Sequence, residues 1–233
     1  MRFKLPRQLL DDQIKKILYR EMKSQGLNLA TLPKKYIQDL IKVMTTVEQK
    51  GLPSHLVCKK LPHNLGSGIF LHPDSQPLLR GQVISFYAGE VMVLPQNLPD
   101  DGGYAFSLVE DMHLTKKEQH DLDKTATYHP RRLYSAKLDA FKKGNFTRFI
   151  NHSDTPNVEA QMLAIPKNFG KLTSSPCEII YFVKKRIYPG EQLLVCYEAG
   201  GKTYWKPSKI KPFSMTSKTF QLDHNLKVVT KTV

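Results

Sequence analysis

The sequence predicts a mainly β protein with α-helix, built as several small β-sheets and preceded by a two-helix N-terminal segment. Three observations carry this prediction. Apolar residues in the first 50 positions recur at helical spacing. From Leu56 onward the pattern changes to short runs rich in β-branched and aromatic residues, with Gly, Pro or Asn nearby. The irregular connections between those runs fit a folded-over set of small sheets better than a parallel α/β sheet with long crossover helices.

Taken in order, Leu10, Ile14, Ile17, Leu18 and Met22 mark an amphipathic helix over residues 7–24, and Gly26 supplies its stop. After Thr31-Leu32-Pro33, the positions Ile37, Leu40, Ile41, Met44 and Val47 repeat the pattern and Gly51 closes it. The two helices could pack on the body, form a contact between copies of the chain, or present a surface to a partner. The runs Val83–Tyr87, Val91–Leu94, Ile179–Val183 and Leu193–Tyr197 read as strands. Between Asp111 and Tyr134 the chain turns polar, and Thr115-Lys116-Lys117-Glu118 has capping-box spacing, which predicts a surface loop carrying a short helix.

In Gly144–Asn157 an apolar pair, Phe149-Ile150, runs into Asn151-His152-Ser153 and stops at Pro156. A buried segment therefore emerges where several donors and acceptors can meet a ligand, although a plain polar turn would read the same way. Near the other end, Gly200-Gly201 followed by Tyr204 and Trp205 reads as a hinge whose far side folds back. Beyond Pro212 the lysine and threonine content predicts a poorly ordered tail.

The chain carries a net charge of +14. Residues 1–50 hold 11 Lys and Arg against 5 Asp and Glu, residues 199–233 hold 7 against 1, and residues 51–198 hold 17 against 15. Charge thus sits on the flanks, where it would attract nucleic acid or an anionic assembly such as chromatin, or simply keep the protein soluble. Cys58, Cys177 and Cys196 are far apart and lack metal spacing, so no metal is expected and the thiols are expected to be reduced and inert. No run is apolar enough for a membrane span, and the N-terminus lacks the pattern of a secretory signal peptide.

Three ordered stretches go further. Gly66-Ser67-Gly68-Ile69-Phe70 with Gly81–Val91, which contains Tyr87-Ala88-Gly89-Glu90, comes first. Leu138-Asp139-Ala140 with Lys142–Asn145, Arg148–Ser153 and Pro156-Asn157 follows, and Ile187–Tyr197, containing Pro189-Gly190-Glu191-Gln192-Leu193, comes last. Over roughly residues 57–205 this set resembles the signature of the SET-domain protein lysine methyltransferases, most of all their compact bacterial, chlamydial-like members. The resemblance implies a fold of small sheets around a knot-like core. The expected domains are a helical segment at 1–52, a SET domain at 53–198 with a variable insert at about 109–137, and a C-terminal flank with a basic tail at 199–233.

The resemblance also implies roles. Tyr197 matches the tyrosine beside the sulfonium of S-adenosylmethionine and the transferring methyl, and Tyr87 matches an aromatic lining the lysine channel. A packed strand tyrosine remains an alternative for Tyr87. Asn151 and His152 match residues that hold the cofactor, and Gly66, Ser67 and Gly68 match the turn that meets its amino acid portion. Arg148 could touch ligand or anchor its turn, and Trp205 could complete the cofactor pocket or pack as a lid. Ala160 and Val195 fall near positions where relatives carry aromatics that limit the number of methyl groups, so small side chains there imply a roomy pocket. Ser153-Asp154-Thr155-Pro156 and Cys196 depart from the usual pattern without removing a reacting group.

The expected function is S-adenosylmethionine-dependent methylation of lysine in a basic protein, a histone or a histone-like DNA-bound protein, inside a bacterium or after export to a host nucleus. Two alternatives stay open: a catalytically silent SET module that binds nucleic acid or chromatin, and a methyltransferase for a polyamine or other non-histone amine.

Overall fold

The computed structural model describes residues 12–27, 29–96, 104–122, 127–164, 177–197 and 214–230. Helix α1 spans Asp12–Ser24 and buries Ile17, Leu18 and Met22. Helix α2 spans Lys34–Lys50 and buries Ile37, Leu40, Met44 and Val47. It ends at Gly51, whose φ of 77° lets its N–H cap the Val47 carbonyl, a conformation that costs glycine little. Both helices are where their periodicity put them, and residues 7–11 of the first lie outside the described residues. Their apolar faces pack on the body. Those of α1 join the main core, whereas Leu32, Ile37, Leu40 and Met44 form a second cluster with Leu163, Ile180 and Phe182. A contact between copies would therefore have to use the outer, polar faces of these helices.

Most of the other described residues with regular structure are β-strands in four small sheets. Strands β1 (Leu56–Lys60) and β2 (Ser67–Leu71) form an antiparallel hairpin. Strands β4 (Glu90–Pro95), β5 (Ala105–His113) and β6 (Leu133–Asp139) form a sheet of order β4-β6-β5. The five-stranded sheet has the order β3-β9-β8-β10-β7, with β3 at Val83–Phe86, β7 at Asn151–His152, β8 at Val158–Ala164, β9 at Cys177–Val183 and β10 at Leu194–Val195. Strands β11 (Phe220–Leu222) and β12 (Val228–Thr230) close the described chain as a hairpin. No helix among the described residues is long and apolar enough to cross a membrane.

Two sequence expectations need correction. The stretch 111–134 is more than a surface loop with a helix. Helix α3 (Lys116–Leu122) does start at the Thr115–Glu118 capping box, but β5 and β6 run into the stretch from both sides and bury Met112 and Tyr134. Register shifts in β5 at Ser107/Val109 and Val109/Met112 break the two-residue alternation that would have announced a strand.

The second correction concerns the tail. Residues 214–230 are an ordered part of the body: Met215, Phe220 and Leu222 are buried with Leu61, Phe70 and Leu194. Three separated apolar anchors suffice here because the backbone also pairs, with Leu222 N–H donating to Gly190 O at 2.9 Å. Lysine and threonine between the anchors disguised them.

The knot-like core lies where β10 enters between β7 and β8, parallel to both, with Leu194 opposite Asn151 and Val195 opposite His152 and Val158. Asn157 holds the inserted segment. Its Nδ2 donates to Gln192 O at 2.8 Å and its Oδ1 accepts Leu194 N–H at 2.8 Å. The strand expected over Leu193–Tyr197 is shorter because its residues change partners: Leu193 N–H donates to Ile69 O, and Tyr197 N–H donates to a side chain.

Candidate active site

The site begins at Asn145, a fully buried residue that sequence reasoning passed over. Its Oδ1 accepts Thr147 N–H at 3.1 Å and caps a single 3-10 turn, Phe146–Phe149, while its Nδ2 donates to Phe86 O at 2.7 Å. One side chain thereby ties the turn before the knot to the end of β3, where Tyr87 leaves the strand. Arg148, on that turn, donates through Nη1 to Ala140 O at 2.9 Å and Phe141 O at 3.1 Å, and its guanidinium lies 4.7 Å from the Phe149 ring centroid. These contacts tie Arg148 to the two residues that end β6 and follow it.

After the turn come Ile150, Asn151 and His152. His152 is 2% exposed, and its Nδ1 accepts the Tyr197 backbone N–H at 3.2 Å. A nitrogen that accepts carries no proton, which assigns the neutral tautomer's proton to Nε2, 3.3 Å from Asp154 Oδ1. The Tyr197 hydroxyl donates to Ile150 O at 3.0 Å, and the His152 and Tyr197 rings lie 5.3 Å apart at 45°. Tyr197 is thus gripped at its backbone and at its phenol by the same three-residue stretch. With its one proton directed at Ile150, the hydroxyl meets any further group as an acceptor.

The glycine turn faces this stretch. Asn151 Nδ2 donates to Ser67 O at 2.9 Å. Gly66 has a φ of 79° and no described residue within 4 Å of where a Cβ would stand, so among the described residues its backbone is open on that side. Gly68 is glycine for a different reason: a Cβ there would lie 2.5 Å from Nε2 of Gln192. The Gln192 amide is completely buried beside the turn, and neither its Nε2 nor its Oε1 has a hydrogen-bond partner among the described residues.

Aromatic residues fill the opposite wall. Tyr87 is 3% exposed, donates its hydroxyl to Tyr104 O and packs edge-on to Phe106 with centroids 4.7 Å apart. Its ring centroid is 6.2 Å from that of Tyr181 on β9, a residue the sequence reading did not single out. Burial pushes the Tyr181 phenol well above its ordinary value, helped by the neighbouring Tyr87 and Tyr197 hydroxyls. Tyr181 is therefore in ring contact with Tyr87 and within electrostatic reach of Tyr197, the two tyrosines that sequence had named. An aromatic within the apolar run Ile179–Val183 offers no local sign of this, because its neighbours belong to other strands.

The C-terminal segment covers the back of the knot. Met215 N–H donates to His152 O at 3.2 Å, the Ser153 hydroxyl donates to Met215 O, and Asp154 N–H donates to Ser214 Oγ at 2.9 Å. Trp205 and the Gly200-Gly201 hinge lie outside the described residues.

A family model described as the SET domain matches residues 22–198 of this chain. The chain belongs to the SET-domain family. Among solved structures, the SET domain resembles the crystal structure of the ATXR5 SET domain in complex with histone H3 di-methylated on R26. It shares 17% identity with that chain over 73% of this one and 70% of the other, with a TM-score of 0.51. It also resembles ATXR5 in complex with histone H3.1 mono-methylated on R26, at 16% identity, 76% and 71% coverage and a TM-score of 0.52. At that identity the likeness is one of fold. The family match supports a protein-lysine methyltransferase at the family level.

Within the SET domain, Asn151 is hydrogen-bonded to Ser67, which Gly66 and Gly68 flank in the chain, and His152, next to Asn151, is hydrogen-bonded to Tyr197. Tyr87 joins them by way of Tyr181, and Arg148 turns toward Ala140 and Phe141. Among the described residues no group of three His, Cys, Asp or Glu could hold a metal, and burial raises the Cys58 thiol above its ordinary value. The family match starts earlier than the resemblance seen in sequence and takes in α2.

Proposed function

We propose that this SET domain is an S-adenosylmethionine-dependent protein-lysine N-methyltransferase whose substrate is a basic, lysine-rich protein, a histone or a histone-like DNA-bound protein. The observation that carries the proposal is Tyr197, held by His152 and Ile150 on the same stretch whose Asn151 bonds the glycine turn. Both similar solved structures are complexes with histone H3, which favours that class of substrate here.

The residues present fit the cofactor. Gly66 offers open backbone, Gln192 a buried amide with no partner, and Asn151 an amide at the joint between the turn and the knot. Bound there, S-adenosylmethionine supplies a methyl group on a cationic sulfonium, an electrophile that needs only an aligned nucleophile. The chain's task is to supply alignment and a neutral amine. At an ordinary pKa of about 10.4, roughly one lysine in 2,500 is neutral at pH 7, a cost of about 4.6 kcal/mol. An aromatic wall of Tyr87, Phe106 and Tyr181 disfavours the ammonium by removing water from it, so no strong base is required. Tyr197, whose hydroxyl hydrogen is directed at Ile150 O, leaves its oxygen lone pairs to accept from C–H and N–H donors of the reacting groups. Basic flanks would keep the enzyme near DNA-bound substrate by attraction to phosphate.

The test is incubation of the full chain with labelled cofactor and, in parallel, histones and a lysine-rich bacterial DNA-binding protein. Label on lysine of either supports the proposal. Cofactor binding by calorimetry without transfer to any of them counts against it. Absence of cofactor affinity together with salt-sensitive DNA binding would replace it with a silent, nucleic-acid-binding module.

A further inference from the structure

The near balance of charge over residues 51–198 hides a local concentration. Residues 78–82, which lead into β3, run antiparallel to residues 183–187, which lead out of β9. Leu78 N–H donates to Ile187 O at 3.0 Å and Ile187 N–H to Leu78 O at 3.1 Å, while Gly81 N–H donates to Val183 O at 2.8 Å and Val183 N–H to Gln82 O at 2.9 Å. These two paired segments hold Arg80, Lys184, Lys185 and Arg186 and no carboxylate. All four cations are exposed, and none is in an ion pair among the described residues. The carboxylates around them have other partners. Glu159, opposite Phe182, accepts from Gln161 Nε2 at 3.0 Å, Glu191 accepts Tyr188 N–H at 2.8 Å, and Asp74 faces His72 and His224.

The backbone that carries the four is fixed. Asn157 O accepts Lys184 N–H at 2.8 Å and Lys185 N–H at 3.1 Å, so the basic run is tied to the residue that holds the threaded strand. From the other side Tyr36 of α2 reaches Gly81, its hydroxyl 3.6 Å from where a Cβ would stand, and Lys35 Nζ lies 4.6 Å from the Tyr36 ring centroid. A fifth cation thus borders the group. Like charges on adjacent segments repel, and a fold that holds them together without counter-charges leaves that repulsion for an anionic partner to relieve.

We infer that Arg80, Lys184, Lys185 and Arg186, with Lys35 at their edge, form a docking surface for the phosphate backbone of double-stranded DNA. The inference goes beyond the methyltransferase reading, and it places the DNA contact on the folded body instead of on the basic flanks. Charge complementarity selects this partner. Each cation set against a duplex phosphate releases a condensed counterion, so a compact group of four gains with every contact, whereas exposed pairs with protein carboxylates are each worth little. A bilayer would need more apolar area than Leu79, the exposed aliphatic side chain beside Arg80, can offer. Because the carrying backbone is already hydrogen-bonded, docking orders no loop.

The test measures binding of the full chain to a labelled 25-base-pair duplex as salt is raised, without cofactor, so its outcome is separate from that of the transfer assay. In Lys184→Gln/Arg186→Gln, and again in Arg80→Gln/Lys185→Gln, the slope of log affinity against log salt should become shallower by about 2, with affinity at 0.1 M salt lower by roughly 10- to 100-fold. Lys116→Gln/Lys117→Gln, an exposed pair on α3, should keep the wild-type slope, and Lys184→Arg/Arg186→Lys should keep it too. Thermal midpoints of all four variants should stay within about 2 °C of wild type. A wild-type slope in both neutralised variants would overturn the inference and return the contact to the flanks, as would an equal loss in the α3 pair. Variants that lose affinity for phosphatidylserine vesicles or for polyglutamate while keeping the wild-type slope on DNA would overturn it in favour of a membrane or an acidic protein. Wild-type protein that binds no duplex at 50 mM salt also overturns it, and leaves the methyltransferase reading standing.

Discussion

The backbone N–H of Tyr197 donates to Nδ1 of His152 at 3.2 Å, although His152 lies on β7 and Tyr197 follows β10, segments brought together where β10 enters between β7 and β8. This contact, with the bond from the Tyr197 hydroxyl to Ile150 O at 3.0 Å, leaves the phenol little freedom to swing. The role proposed for this oxygen requires it to be held in place beforehand, and the knot does the holding.

Tyr197→Phe removes the oxygen and spares the backbone bond to His152. Stability should fall by about 1 kcal/mol, the net worth of one hydrogen bond. Cofactor binding by calorimetry should change little, whereas methyl transfer should fall by about 100-fold or more. Wild-type turnover in the variant would remove Tyr197 from the mechanism.

Asn157→Ala tests the knot itself. The change leaves Gln192 O and Leu194 N–H without the partners that Asn157 supplies in a buried site, which should cost about 2–4 kcal/mol. The urea midpoint should shift accordingly. A shift no larger than that of an exposed-site control would show that β10 is retained by strand pairing alone.

Phe220→Ala tests the C-terminal segment. Phe220 is buried among Leu61, Phe70 and Leu194, so its truncation should cost about 3 kcal/mol and lower the thermal midpoint by roughly 6–12 °C. Val229→Ala, at an exposed position of the same hairpin, should move it by no more than about 2 °C. Equal effects would mean that the segment adds no core.

The ion pair joining α1 to α3 gives a pH signature. Burial pushes the Glu118 carboxyl up, but hydrogen bonds from Arg20 and Thr115 outweigh it, and the net direction is below the ordinary carboxylate value. A depressed folded value stabilises the fold above the unfolded carboxylate pKa, and the contribution is lost as pH falls through the lower, folded one. Arg20 shifts the opposite way, upward, where no ordinary pH reaches it. Arg20→Met should therefore destabilise by no more than about 1 kcal/mol at pH 7, and the difference from wild type should shrink on acidification below pH 4. A difference that stays constant from pH 7 to pH 3 would show that Arg20 acts through packing.

Much of this molecule is written in short stretches of its sequence. The spacing of Ile37, Leu40, Met44 and Val47 reports one helical face, the Thr115–Glu118 pair reports a cap, and the order of the glycine turn, the Asn-His-Ser stretch and the closing tyrosine reports the family. Each of these signals is local. The strands β5 and β6 were hidden by bulges and by polar neighbours, and the C-terminal segment by the polar residues, Lys218 among them, that separate its three anchors.

By itself, the sequence determined that two amphipathic helices precede a set of short strands, that the charge lies on the flanks, and that the residues of a SET-type site are present in order. Only the tertiary structure decided that His152 grips Tyr197, that Asn157 holds the threaded strand, that Met215 backs the knot, and that the buried ring of Tyr181 packs against Tyr87. The reason is physical. Periodicity tells which side of an element avoids water, but the partner met on that side is set by strand register and by loop closures that bring together residues such as Asn151 and Ser67, 84 positions apart in the chain.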